Sequence, residues 1–292
     1  MDAIQKEMLA KIADLHAVPA GAYNFRVNGE GVGRNTTEHI DIVTKTDKPG
    51  IDIIIKPGTK NESVHIPVVL SQSGLKESVY NDFFIGEDCD VTIIAGCGIH
   101  TFFVGKNSKV KYVEKHYGEG DGRGARILNP QTIVHIEEGG RLEMDTVQIK
   151  GVDSTIRTTK ADLKAGANLV IREKIMTHGT QTAKTDFTVD LNGEDCGADV
   201  VSRSVAAGES HQEFYSRING NNRCTGHTEC DAILMESGNV VALPALAANH
   251  LDASLIHEAA IGKIAGDQII KLMTLGLSEE EAEQQIISGF LK

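Results

Sequence analysis

Soft metal-binding side chains are concentrated in one short stretch of the chain. Cys224, His227 and Cys230 lie within seven residues, with two residues between neighbouring members. Thiolate and imidazole groups are donors that suit iron, zinc or copper(I). On a strand, Cys224 and Cys230 would share one face and His227 would point the other way, unless the chain bends at Gly226. The spacing therefore indicates either a metal site or core and edge cysteines beside a surface histidine.

A second candidate pair, His257 and Glu258, follows Cys230 at a distance close to one coil of the repeat described below. The pair offers nitrogen and oxygen ligands, but it is also typical of the solvated start of a helix. The upstream His250 is equally ambiguous. In a solenoid of stacked strands, positions one coil apart lie about 5 Å from each other. Cys230 and His257 could therefore meet within one chain or across a contact between subunits.

Other chemistries lack the residues that they need. The glycine-rich stretches 29–33 and 118–124 have no Lys-Ser or Lys-Thr of a phosphate-binding loop and no strand-to-helix context, so we interpret both as flexible loops. No nucleophile elbow is present. We therefore predict a non-catalytic protein that binds no nucleotide, and any ATP hydrolysis would belong to another chain. A carbohydrate-active enzyme on a solenoid is disfavoured, because the chain has no Trp and only 4% aromatic residues.

Composition also restricts the partners and the compartment. The formal net charge is −12 and no basic cluster occurs, which argues against nucleic-acid binding. No stretch approaches the roughly 18–20 apolar residues of a membrane span. The charged N-terminus has no signal-peptide core, so we expect a cytoplasmic protein. Its five cysteines are odd in number and scattered, which favours reduced thiols over a disulfide framework.

The helices and strands predicted from the sequence divide the chain into three parts. The spacing of apolar residues predicts a helical segment over 1–23, and residues 24–256 are predicted to be rich in short strands. Residues 257–292 return to a helical pattern, in which Ser278 and Glu281 form a capping box. These helices could cap the end of the β-rich region, or dock a partner, or both.

A loose repeat runs through the β-rich part: a small residue in a turn, then two apolar residues separated by one other. Two copies begin at Cys89 and Ser108, and two later copies begin at Gly139 and Gly166, where the spacing is longer. Such periods favour a β-solenoid, in which each coil buries its apolar face against its neighbours. A β-sandwich, which has hairpins at shorter spacing, is the alternative.

Two segments near the C-terminus resemble a known family. Residues 257–264, His-Glu-Ala-Ala-Ile-Gly-Lys-Ile, resemble the HEA-x-x-x-[KR]-I signature of the SufB/SufD proteins of iron–sulfur cluster assembly. Residues 230–234, Cys-Asp-Ala-Ile-Leu, are similar to the CD-[AS]-x-L element of that family. The helical ending also follows the family's order of segments. The resemblance is specific over residues 223–292 and diffuse in the middle of the chain.

The resemblance implies a right-handed parallel β-helix flanked by helical segments at both termini. It also implies a dimeric scaffold, formed with itself or with a paralogue, that docks through its C-terminal helices onto the ABC-type ATPase SufC. Cys230 matches the thiol implicated in building the transient iron–sulfur cluster, and His257 and Glu258 match partner ligands at the dimer contact. A cysteine desulfurase or another donor would supply sulfur.

The presence of all three ligands places the chain nearer the B-type subunit. The alternative is a D-type accessory subunit that stabilises the ATPase complex without holding a cluster. The chain is short and lacks the long N-terminal region of many B-type members, so the cysteine that relays sulfur is not identified by the resemblance. Cys196 and Cys224 are possible substitutes.

Overall fold

Two long parallel sheets face each other and form a β-solenoid. The computed structural model describes residues 19–69, 78–117 and 125–292. Sheet 1 contains, in spatial order, β2 (Glu30–Asn35), β1 (Ala22–Val27), β5 (Lys60–Ile66), β8 (Asp90–Ala95), β10 (Lys109–Tyr117), β13 (Arg141–Lys150), β15 (Asn168–Thr177), β17 (Cys196–Ala206), β19 (Cys224–Leu234) and β21 (Ala253–Gly262), with β6 (Val68–Val69) beside β1.

Sheet 2 supplies the other wall of each coil. Its order is β20 (Asn239–Ala248), β18 (His211–Gly220), β16 (Thr182–Leu191), β14 (Ser154–Leu163), β12 (Gln131–Ile136), β9 (Ile99–Val104), β7 (Tyr80–Ile85), β4 (Gly50–Ile55) and β3 (Ile40–Thr44), with β11 (Ile127–Leu128) beside β14. Among the described strands, pairing is antiparallel only between β1 and β2 and between β3 and β4. The predicted solenoid is thus confirmed, and the β-sandwich alternative is wrong.

The repeat seen in the sequence corresponds to the stacking of coils. Val91 in β8 lies opposite Val110 in β10, and Leu142 in β13 lies opposite Leu169 in β15, so equivalent positions of successive copies pair with each other. Alternate side chains face the interior, as in β16, where every second residue is buried. The core is built from these inward rows. Phe83 and Phe102, for example, are fully buried and stack with ring centroids 4.5 Å apart.

The turns between strands also stack from coil to coil. At one corner, Asn192 donates to Asp162 (2.6 Å), Asn221 donates to Asn192 (2.7 Å) and Asn249 donates to Asn221 (2.7 Å). Gly193 follows Asn192 in this corner, and a Cβ atom there would lie 2.0 Å from backbone atoms of the preceding coil. Only glycine permits that approach, so the corner residues set the spacing of the coils.

Two helices follow the last strand: α1 (Gly266–Met273) and α2 (Glu279–Phe290). The capping box is confirmed, since Ser278 N donates to Glu281 Oε2 (2.8 Å) and Glu281 N donates to Ser278 Oγ (3.2 Å). Among the described residues, no helix is long and apolar enough to traverse a bilayer.

Two expectations about local structure are wrong. The boundary expected at residue 257 falls inside β21, so His257 and Glu258 lie on a strand and not at a helix start, because β21 pairs with β19 through Gly262. Residues 29–33 are not a flexible loop, because Gly29 turns the chain into β2. Of the helical segment predicted over 1–23, residues 1–18 lie outside the described residues, and β1 begins at Ala22. The stretch 118–124 lies wholly outside the described residues.

Candidate functional site

The candidate ligands lie on β19 and β21, the last two strands of sheet 1. In the pairing of these strands, Thr228 lies opposite His257, Glu229 opposite Glu258, and Cys230 opposite Ala259. The alternation of a strand therefore divides the candidates between two surfaces. Cys224, Cys230 and His257 belong to the inner row, whereas His227 and Glu258 belong to the outer face of the sheet.

Cys230 lies deep inside the terminal coils. Its side chain is 2% exposed, and burial raises the pKa of its thiol to about 12, with Glu173 and Asp231 contributing negative charge that acts in the same direction. His257 lies on the same inner face, two positions away from the residue that pairs with Cys230. Its Nδ1 atom is buried and has no hydrogen-bond partner among the described residues. The inner face thus brings a protonated thiol and an unsatisfied imidazole into the same part of the fold.

Glu258 faces away from this pair. It lies beside His227, whose Nε2 atom is 4.0 Å from Glu258 Oε2, and His227 Nδ1 is 2.8 Å from Asp199 Oδ1. The predicted ligand set of Cys230, His257 and Glu258 is therefore separated within one chain by the thickness of the sheet. The residues grouped with Glu258 are His227 and Glu229: one possible ligand atom from each lies within 4.8 Å of the others.

The cysteines considered for sulfur relay are stacked inside the solenoid. Cys196 in β17 lies directly opposite Cys224 in β19, and the two side chains are 1% and 3% exposed. Burial raises the pKa of the Cys196 thiol to about 11 and also raises the pKa of Cys224. Both thiols are consequently sealed and protonated in this state. Cys224 does not share a site with His227, as the alternation of strand faces predicted.

A buried row of polar residues leads to Cys230, and sequence reasoning missed it. In successive strands of sheet 1 the same inward position is occupied by Glu114, Thr146, Glu173, Ser202 and Cys230. Ser202 Oγ donates to Glu173 Oε2 at 2.9 Å. Polar groups usually avoid such positions because each must find a partner away from water. The row therefore marks the interior next to Cys230 as chemically distinct from the apolar core elsewhere.

Arg157 of β14, from the opposite sheet, holds this row together. Its Nη1 atom lies 2.7 Å from Glu114 Oε2 and its Nε atom lies 3.4 Å from Glu173 Oε1. Burial disfavours the charge of each group, but Arg157 and His116 together keep the pKa of Glu114 well below its usual range. For Glu173 burial dominates and raises the pKa of the carboxyl. The sequence could have indicated that Arg157 faces the interior, since strand alternation puts it on the same face of β14 as Ala161 and Leu163.

The same network includes a buried histidine. His116 Nε2 lies 3.0 Å from Glu114 Oε1. Burial lowers the pKa of His116, but the charges and hydrogen bonds of Glu114 and Cys97 together outweigh that effect and raise the pKa to about 9. The imidazole is therefore charged at neutral pH, and the interior contains a compensated set of ions next to the polar row.

The solenoid ends openly at its last coil. β20 and β21 are the terminal strands of their sheets in the described part of the chain, so their outer edges keep unpaired backbone groups. Inward positions that are buried in earlier coils are uncovered here. Leu246 in β20 is 38% exposed and Ile261 in β21 is 40% exposed. This apolar end, which we call the open end (residues 239–248 and 253–262), lies one strand beyond Cys230.

Most of the chain is similar to proteins of one known family. The model of the family described as "SUF system FeS cluster assembly, SufBD core domain" matches residues 96–290. A protein of Archaeoglobus fulgidus described as an iron–sulfur cluster assembly SufBD family protein is 30% identical over 261 residues, which cover 84% of this chain and 69% of the relative.

Two further relatives carry the same family description. One, from Methanocaldococcus jannaschii, is 27% identical over 253 residues, covering 82% of this chain and 79% of the relative. The other, from Pyrococcus horikoshii, is 26% identical over 299 residues and covers 96% of this chain and 84% of the relative. The similarity therefore extends well beyond the C-terminal motifs.

Proposed function

The chain belongs to the SufBD family of iron–sulfur cluster assembly proteins, and from that premise we propose that it is a scaffold subunit on which a cluster is built and then released. The scaffold is a cytoplasmic dimer, of two copies or of one copy with a paralogue. It is docked to an ABC-type ATPase of the SufC kind. It has no catalytic activity of its own and binds no nucleotide, so ATP hydrolysis belongs to the partner.

The placement of Cys230 and His257 carries this proposal. Both side chains face inward from adjacent strands next to the open end, and the His257 ring has a nitrogen without a partner in the described residues. A thiolate and an imidazole form a mixed ligand set. Iron–sulfur clusters are retained most firmly by complete cysteine ligation, so a mixed set suits a cluster that must be handed on.

Dimer formation explains the open end. Unpaired strand edges invite pairing with another chain, and exposed apolar side chains are covered when they do so. A second molecule docked edge to edge at β20 and β21 would bring another Cys230 and His257 to the same place. In such a dimer Glu258, which lies on the outer face of its own sheet, would be able to serve as a ligand on the partner's side of the contact.

Loading a cluster requires the terminal coil to open. Cys230 is buried beneath β21 and its thiol is held protonated, whereas iron binds the thiolate. Closure of two ATPase subunits around nucleotide would move the attached helices and separate the strands that cover Cys230. Sulfur would then arrive from a cysteine desulfurase or another donor.

The C-terminal helices offer the docking surface for the ATPase. Ile270 and Met273 of α1 are 62% and 42% exposed, and Leu275 in the following turn is 76% exposed. Neighbouring apolar side chains left in water on a helix are typical of a surface that binds another protein. These helices directly follow β21, so movement of the helices is transmitted to the strand that covers Cys230.

Anaerobic reconstitution tests the scaffold proposal. In the presence of the ATPase and nucleotide, wild-type protein is expected to bind iron and sulfide in equal amounts and turn brown, whereas Cys230→Ser and His257→Ala should lose most of this loading. Cys89→Ser, which alters a fully buried thiol just before β8 and far from the open end, is the matched control and should load normally. Undiminished loading of Cys230→Ser would remove that residue from the proposal.

An accessory role is the alternative, and the burial of Cys230 favours it. A D-type subunit would stabilise the ATPase complex without holding a cluster, and a sealed, protonated thiol is compatible with that role. The two functions differ in one measurement. Protein that stays colourless after reconstitution in the presence of the ATPase and nucleotide, yet still binds the ATPase, would establish the accessory role.

A further inference from the structure

A second group of donors lies on the outer face of sheet 1, separated from Cys230 by the sheet itself. His227 and Glu229 project from β19 and Glu258 from β21, and one possible ligand atom from each lies within 4.8 Å of the others. We propose that these three side chains form a binding site for a divalent transition-metal cation that is distinct from the inner-face site. This proposal does not require a cluster to form at Cys230.

The histidine is already oriented for such a role. His227 Nδ1 lies 2.8 Å from Asp199 Oδ1, on the neighbouring strand β17. A carboxylate in that position favours the tautomer with its proton on Nδ1, which leaves the Nε2 lone pair free. Nε2 is the nitrogen turned towards Glu258, at 4.0 Å from Oε2. The arrangement has the carboxylate–histidine geometry that commonly supports a metal ligand.

The donor set defines the class of ion. One imidazole and two carboxylates suit iron(II), manganese(II) or zinc, whereas magnesium and calcium prefer oxygen ligands alone. All three ligands come from one surface of the sheet, and Glu258 is 67% exposed, so the solvent side is left for water or another ligand. The protein would thereby hold an exchangeable ion near, but not in, the solenoid interior.

The surrounding charges favour a cation. Asp199, Glu229, Asp231 and Glu258 all lie on this face of the sheet. Arg203 places a positive charge near these four carboxylates, since its Nη2 atom lies 3.9 Å from Glu229 Oε1. A bound divalent ion would relieve the repulsion between the carboxylates, and Arg203 would turn to Asp231, its neighbour in the strand pairing.

Titration with manganese(II), followed by electron paramagnetic resonance, tests the site on the full-length protein. Wild type should bind one ion saturably, and His227→Ala and Glu229→Gln should each weaken binding about tenfold or more. His211→Ala is the matched control, because His211 also lies on an outer face beside a carboxylate, Glu213 at 3.3 Å, with its other nitrogen on Asn239. Iron(II), added anaerobically, should displace manganese from the wild-type site.

Cys230→Ser separates this proposal from the scaffold function, and Glu258→Gln tests the third ligand. Cys230→Ser should keep wild-type manganese binding even though it loses cluster loading, and Glu258→Gln should weaken manganese binding. Far-UV circular dichroism and melting curves establish that each variant is folded. Absence of saturable binding below about 1 mM in wild type, or equal binding by wild type, His227→Ala and Glu229→Gln, would overturn the site.

Discussion

Cys230 and His257 lie diagonally across two neighbouring parallel strands, with both side chains on the inner face of the solenoid. His257 pairs with Thr228, two residues before Cys230 in β19. From the spacing of strands and of residues along them, such diagonal positions have Cα atoms about 8 Å apart. Side chains at that separation can converge on one ion, provided that the strand above Cys230 moves enough to admit it.

The open end should mediate self-association. Replacing Ile261 with Lys puts a charge among the uncovered inward side chains and should weaken the dimer about tenfold or more, since charged residues are unfavourable at the centre of an interface. Analytical ultracentrifugation over a concentration series measures the change. Ile133→Lys is the matched control, because Ile133 is also 40% exposed but lies on β12, far from the open end. A dimer of wild-type affinity in Ile261→Lys would contradict this interface.

Arg157 should be essential for stability. Arg157→Met removes the cation that Glu114 and Glu173 share, and His116 remains beside Glu114 alone. Breaking a buried pair in this way costs about 3–5 kcal/mol of unfolding free energy. Chemical denaturation measures the loss. Arg141→Gln, which removes a solvent-exposed arginine 3.9 Å from Glu143, should cost no more than about 1 kcal/mol. Equal effects of the two substitutions would show that the buried network contributes little.

Stability should fall as pH rises from neutral to alkaline values. The pKa of His116 is about 9 in the folded protein, against an ordinary value of 6.5. A raised folded pKa stabilises fully below the unfolded pKa, and this contribution disappears as pH rises through about 6.5 to 9. The loss from this group is at most about 3 kcal/mol. Denaturation curves at pH 6 and pH 9.5 should differ for wild type.

His116→Gln is the control for that pH dependence. Glutamine keeps a polar side chain next to Glu114 but does not titrate, so the variant should be less stable than wild type at pH 6 and should lose less stability between the two pH values. A slope equal to that of wild type would show that another group controls the alkaline loss.

Cys230 should resist alkylation in the folded protein. Its thiol is buried and its pKa is about 12, so very little thiolate is present at pH 8. Cys97, which is only partly buried, should react with iodoacetamide first, and Cys230 should react at a rate that tracks unfolding or opening of the terminal coil. Peptide mass spectrometry measures both rates. Addition of the ATPase and nucleotide should accelerate modification of Cys230 if they open the coil.

Much of the architecture follows from local patterns in the sequence. The small-turn and apolar repeat predicted the stacking of Val91 on Val110 and of Leu142 on Leu169, because each coil must bury its inward row against the next. Strand alternation also placed Cys224 and Cys230 on the face opposite His227. The capping box at Ser278 was predictable, since it depends only on residues three apart.

The tertiary structure alone decided which candidate ligands are neighbours across the strands. The spacing of the repeat suggested that His257 stacks on Cys230, but the pairing of β19 with β21 puts Ala259 opposite Cys230. A shift of two keeps His257 on the inner face. Glu258, the next residue of the strand, therefore lies on the outer face, where the register puts it beside His227 and Glu229. The register depends on how the turns between strands stack, and so does the meeting of Arg157 with Glu114 from the opposite sheet. Local sequence patterns specify the face on which a side chain lies, whereas the lengths and packing of many turns set its neighbours.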